Sequence, residues 1–125
     1  MQFEINPSAT VPIYRQIVDQ VARLIAGGGL QPGDELPSVR TVAAQHAVNP
    51  MTVSKAYSLL ETQGLVQRLR GQGMVVAPKA PSYSDQQRLD LLRPSLQAAA
   101  QHARQLEISV DEALSAFRQE LEGDR

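Results

Sequence analysis

Between Asn49 and Lys55 the chain reads Asn-Pro-Met-Thr-Val-Ser-Lys. Asn49, Thr52 and Ser54 bring short hydrogen-bonding groups, Lys55 a mobile cation, and Met51 an apolar side chain able to pack on a thymine methyl. On the first turns of a helix, such side chains reach base edges and phosphates in a DNA major groove. Free backbone N–H groups at a helix start near Pro50 also favour a phosphate. Capping alone explains Asn49 as well as contact does, and Thr52 and Ser54 also suit a helix start. Upstream, Arg40 is a candidate phosphate or base ligand, or else a solvated surface arginine. Downstream, Arg68 and Arg70 flank Gly71-Gln72-Gly73, a basic tip suited to a minor groove or to neighbouring phosphates. The Gly-x-Gly by itself fits plain turn chemistry equally well. Its place inside a hairpin, not between a strand and a helix, argues against a nucleotide loop.

These groups need elements to hold them. Residues 1–10 read as an extended lead-in arm. Pro12 suits the first turn of a helix, and Ile13, Ile17, Val21, Leu24 and Ile25 form one apolar face. Gly27-Gly28-Gly29 stops that helix. A turn and a short extended piece run from Leu30 to Pro37. Ser38 caps a second helix with Val39, Val42 and Ala43 on its buried side. The pattern breaks near His46-Ala47-Val48. Asn49 caps a third helix, and Pro50 takes its first position, where a missing N–H costs nothing. Val53, Tyr57 and Leu60 make its buried face, and Gly64 its C-cap. Leu65–Leu69 and Met74–Ala77 are strand-like runs around the glycine-rich tip. Helix, turn, helix and basic hairpin together spell a winged helix-turn-helix.

Pro78-Lys79-Ala80-Pro81-Ser82 is a linker by composition. The division expected is a DNA-binding domain at residues 1–78 and a two-helix dimerisation segment at 79–125. In the tail, Leu89, Leu92, Leu96, Ala99, Ala103 and Leu106 are spaced as a coiled-coil seam. Pro94 interrupts it and predicts a kink or restart. Ser109-Val110-Asp111-Glu112 is a capping box, and Leu114, Phe117 and Leu121 give the last helix a narrow apolar face. The fold class is therefore mainly α with a small β-hairpin.

The chain's formal charge of −1 hides an asymmetry. From Ser38 to Lys79 five cations face one acid, a balance of +4, whereas from Ala80 to Arg125 five cations face eight acids, a balance of −3. A basic module joined to an acidic one fits a nucleic-acid partner on one side. There are no cysteines, so disulfides, thiolate metal sites and cysteine nucleophiles are excluded. His46 and His102 are far apart in sequence, and no Ser-His-Asp or metal-ligand spacing appears. The expectation is a protein that is not an enzyme and has no cofactor or metal. No apolar run reaches the length of a membrane span. The start, Met1-Gln2-Phe3-Glu4, lacks a signal peptide's pattern, so a cytoplasmic location is expected. A winged helix serving protein interaction without specific DNA readout is the alternative. The basic groove-facing residues argue against it.

Three motif runs resemble the GntR family of bacterial transcription regulators. They are Pro32-Gly33-Asp34-x-Leu36-Pro37-Ser38-x-Arg40, then Val48-Asn49-Pro50-x-Thr52-Val53-x-Lys55-Ala56-Tyr57-x-x-Leu60-Glu61-x-x-Gly64-Leu65, then Gly71-x-Gly73. Pro12-Ile13-Tyr14-x-Gln16-Ile17 matches too. The short helical tail is similar to the YtrA subfamily. The resemblance implies a homodimeric repressor gripping a palindromic operator. Arg40, Asn49, Thr52, Ser54, Lys55 and the wing around Gly71–Gly73 then inherit DNA contacts. Met51 departs from the pattern where a polar residue is common, and Met74 where an aromatic or β-branched one is. The segment after the wing is too short for the family's larger effector or aminotransferase domains, and whether a small-molecule effector binds is left open by the sequence.

Overall fold

A computed structural model describes residues 1–78 and 83–123. The expected linker, beyond Pro78, lies outside the described residues. Two compact units emerge, Met1–Ser84 and Asp85–Arg125.

In the first unit, helices α1 (Ile13–Ala26), α2 (Val39–His46) and α3 (Pro50–Thr62) precede strands β1 (Val66–Leu69) and β2 (Gly73–Val76). Three side-chain signals set the helix boundaries. Pro12 occupies the N-cap of α1. At α2 the Ser38 hydroxyl oxygen accepts the Thr41 N–H at 3.1 Å. At α3 the Asn49 Oδ1 accepts the Met51 N–H at 2.8 Å, with Pro50 at the first helical position. The end of α3 is a Schellman turn. Gly64 adopts φ +78°, the Gly64 N–H donates to Glu61 O and the Leu65 N–H to Leu60 O, both at 3.0 Å. Gly64 thus sits one residue beyond the cap itself, which is Gln63.

The α1, α2 and α3 faces close on one core. Ile17, Val21, Val42, Val53, Tyr57 and Leu60 are buried there with Val66 and Val76 of the hairpin. Each such side chain contributes about 1.5–3 kcal/mol by leaving water. Val18 joins the buried face of α1, while Ile13 and Leu24 are only partly covered. Tyr57 donates its hydroxyl to Pro37 O at 2.6 Å, tying α3 to the approach into α2. Burial pushes its phenol well above the ordinary value, so it stays a neutral donor.

β1 and β2 are antiparallel, with Val66 opposite Val76 and Leu69 opposite Gly73. The extended piece before α2 adds a third layer of pairing that the sequence left unassigned. Leu36 N–H donates to Met74 O at 2.9 Å and Val76 N–H to Asp34 O at 2.8 Å, around a bridge between Glu35 and Val75. The wing is thereby stitched to the segment that leads into α2. The lead-in arm is also anchored. Phe3 is buried in the core. Gln16 Nε2 donates to Asn6 O and to Val11 O, each at 2.9 Å, and Glu4 N–H donates to Gln20 Oε1 at 2.9 Å.

The second unit holds α4 (Asp85–Gln105) and α5 (Val110–Gly123). α4 runs through Pro94 without a break, so of the expected kink or restart the restart does not occur; proline removes a single N–H donor, which alone need not end a helix. Leu106, expected as the last member of the seam, lies just past α4. There Glu107 at φ +57° turns the chain, and Ile108 N–H donates to Ala103 O at 2.9 Å. The capping box forms in both directions. Glu112 N–H donates to Ser109 Oγ at 3.1 Å, and Ser109 N–H donates to Glu112 Oε1 at 3.2 Å. The Ser109 hydroxyl and, after it, the Ser109 N–H hydrogen-bond to the Glu112 carboxyl and hold it below its ordinary value. No described residue of α4 or α5 is buried, and among the described residues no helix is long and apolar enough to cross a membrane.

Candidate nucleic-acid interface

α3 divides its side chains sharply. Val53, Ala56, Tyr57 and Leu60 face the core, while Met51, Ser54 and Lys55 are exposed and Thr52 is half-buried. Met51 stands out at 78% exposure, a long apolar group held in water at the helix start. Asn49 commits its Oδ1 to the cap; its amide N–H groups remain as donors. Capping and contact are therefore compatible for this residue.

Arg40, Ser54, Arg68, Gln72 and Gly73 line one cleft of about 440 Å³ between the start of α2, the middle of α3 and the wing. Three segments far apart in sequence thus bring Arg40, Ser54, Arg68 and Gln72 to the walls of one space. The stitching of the wing to the Asp34–Leu36 segment brings them together. Met74 is buried and packs into the core. Its neighbour Gly73 takes φ +87° and Gly71 φ +84°, which frees the tip to turn tightly with no side chain in the way. Arg70 and Gly71 sit at that exposed tip, outside the cleft. Pro50 is not among the cleft's lining residues; with Val39, Arg40, Ala43 and Val48 it lines a neighbouring, mostly apolar surface that shares Val39 and Arg40 with the cleft.

Sequence reasoning missed two features. Glu35 also lines the cleft, a carboxylate beside two arginines. Its only advance signal was membership of the short extended piece. Lys55 does not project freely either. Its Nζ lies 3.9 Å from the centre of the Tyr14 ring on α1, and the Arg15 guanidinium lies 5.6 Å from the same ring. The residues assigned to dimerisation, Leu89, Leu92, Leu96, Ala99, Leu106, Leu114, Phe117 and Leu121, are all exposed, and Ala103 is half-buried. Leu91, Ile108 and Val110 are exposed apolar groups of the same unit that the seam pattern did not include.

A three-helix core, a polar helix start and a stitched basic hairpin define a winged helix-turn-helix of the kind that docks on duplex DNA. Residues 13–76 match the family described as bacterial regulatory proteins, gntR family, and the chain belongs to that family. It is 39% identical over 93 residues to the HTH-type transcriptional repressor YtrA of Bacillus subtilis, covering 74% of this chain and 72% of that protein. The solved structure of YtrA from Sulfolobus acidocaldarius, a GntR-family transcription factor, is 33% identical, covers 94% of this chain and 95% of that one, and superposes with a TM-score of 0.56. The DNA-binding domain of AraR in complex with operator ORX1 is 27% identical, covers 62% of this chain and 99% of that one, and gives a TM-score of 0.53.

Proposed function

We propose that this chain is a homodimeric transcriptional repressor that binds a palindromic operator. Residues 1–78 bind DNA and residues 79–125 pair the protomers. It acts by occupancy, without catalysis, and works in the cytoplasm where its DNA lies. The observation that carries this reading is the convergence of Arg40, Ser54, Arg68 and Gln72 on one cleft beside the exposed start of α3. The AraR domain, which covers 62% of this chain, is solved on an operator. In this reading Asn49, Met51 and Thr52 meet base edges, Arg40 and Lys55 meet phosphates, and Arg68, Arg70 and the Gly71–Gly73 tip lie against the neighbouring groove.

The exposed leucines of α4 and α5 support pairing, since a lone protomer would leave them in water. A two-fold pair reads two half-sites related by the same symmetry, about 34–36 Å apart centre to centre. The test is selection from random duplex DNA followed by titration of the enriched site. An inverted repeat bound by two chains supports the reading. No enriched sequence at low salt would sink it.

A further inference from the structure

Lys55 has a neighbour that its assigned role does not require. The ring of Tyr14, near the start of α1, sits under its ammonium at 3.9 Å, and Arg15 lies 5.6 Å from that ring. Ion pairs among the described residues are confined to α4 and α5, so neither cation is neutralised by a carboxylate there. Lys55 is exposed, while Tyr14 is half-buried and packed against the core. A rigid ring on one helix therefore holds a mobile cation of another, with a second cation alongside.

We propose that the start of α1 is a third DNA-contacting element, in which Tyr14 positions Lys55 for a backbone phosphate and Arg15 adds a second phosphate contact beside it. This rests on the DNA-binding reading above. Lysine otherwise loses much rotamer freedom when it engages a ligand. A ring beneath the ammonium removes part of that loss beforehand. The cation–π contact uses the ring's negative face, and the N–H donors directed away from the ring stay open to phosphate oxygens. Tyr14 is thus a positioning residue, acting through Lys55, and the same ring marks where Arg15 stands. Both contacts are to the backbone, so they act on any duplex sequence.

The test uses the full chain and a random-sequence duplex, titrated by fluorescence anisotropy across a salt series. Tyr14→Leu should weaken binding about 2–5-fold, the scale of an exposed cation–π contact. Tyr14→Phe, which keeps the ring face, should restore most of that loss. With Lys55→Ala already present, Tyr14→Leu should add nothing further. Arg15→Ala should reduce the salt slope by about one unit. Should Tyr14→Leu unfold, the wild-type protein still decides the matter. Ring-current shifts should place the Lys55 ε-methylene protons upfield in its NMR spectrum, and that shift should persist on DNA. Three results overturn the proposal while wild-type binding stands: Tyr14→Leu binds as well as or better than wild type, the Tyr14 and Lys55 effects simply add, or the upfield shift vanishes on DNA. Wild-type protein that fails to bind any duplex at low salt overturns the DNA-binding reading together with this one.

Discussion

The two units of this molecule solve the problem of apolar surface in opposite ways. Between Met1 and Ser84, three helices and a stitched hairpin enclose a core in which Ile17, Val21, Val53 and Leu60 lose all contact with water. Between Asp85 and Arg125, two regular helices form with none of their described residues buried, and Leu114 remains 62% exposed. The helices of the first unit are held by tertiary packing. Those of the second are specified by local signals, chiefly the reciprocal Ser109–Glu112 box and the seam spacing. Local signals alone leave a helix marginal in water. The first unit therefore has a core of its own, whereas in the proposed reading the second gains its burial from a second copy of the chain.

The largest expected effect breaks the tail alone. Leu89→Asp combined with Leu92→Asp places unpaired charges in the proposed interface, at about 3–5 kcal/mol for each one left buried. Sedimentation should then show monomers at micromolar concentration, with the first unit still folded. A dimer that survives both changes would remove this seam from the interface. The converse change is Leu60→Ala, which opens a cavity in the first unit's core and should cost about 2–5 kcal/mol. Thermal melting should register it as a clear drop in midpoint, and the melting of α4 and α5 should not follow in a chain kept dimeric.

How much of this was visible in the residues divides along the same line. The helices, their caps at Ser38 and Asn49, and the capping box at Ser109 were all legible, because each is a short-range signal. The buried faces of α1 and α3 were legible from spacing. Pairing of Asp34–Leu36 with β2 was not, because a three-residue extended piece carries no periodicity of its own. That pairing is what brings Arg40 and Arg68 to one cleft. The Lys55–Tyr14 contact was equally hidden, since the two residues are separated by the whole of α2 and its flanking turns. Two helix ends lack a glycine signal: Ala47 at φ +53° and Glu107 at φ +57° occupy left-handed positions, whereas glycines mark the ends of α1 at Gly27–Gly29 and of α3 at Gly64. The end of α2 shows in the sequence only as a break in apolar spacing near Ala47.

Smaller changes sharpen the contrast between the two units. Ser38→Ala removes the α2 cap, including its 2.8 Å hydroxyl bond to Thr41, and should cost about 1 kcal/mol by urea unfolding. Tyr57→Phe deletes one bond to Pro37 and should cost about 0.5–1.5 kcal/mol, with DNA binding weakened only through the loosened approach to α2. The smallest effect belongs to the tail and depends on pH. The folded Glu112 carboxyl lies below its ordinary value, so its contribution is complete above that ordinary value and is lost as pH falls through the lowered folded one. Amide NMR of α5 should show its first turn fraying over that acidic window. Glu112→Gln should abolish the pH dependence. The Ser38 cap, whose partner is the uncharged Thr41, should not respond over the same range.

We propose one self-sufficient DNA-reading unit doubled by a tail that needs a partner. It is tested most directly by measuring how many chains bind one duplex carrying the sequence selected from random DNA, for the wild type and for the Leu89→Asp, Leu92→Asp variant. The account expects two wild-type chains on an inverted repeat, and for the variant single-chain binding to either half-site with markedly weaker affinity. One wild-type chain per duplex, or a variant that matches wild type in stoichiometry and affinity, would contradict it.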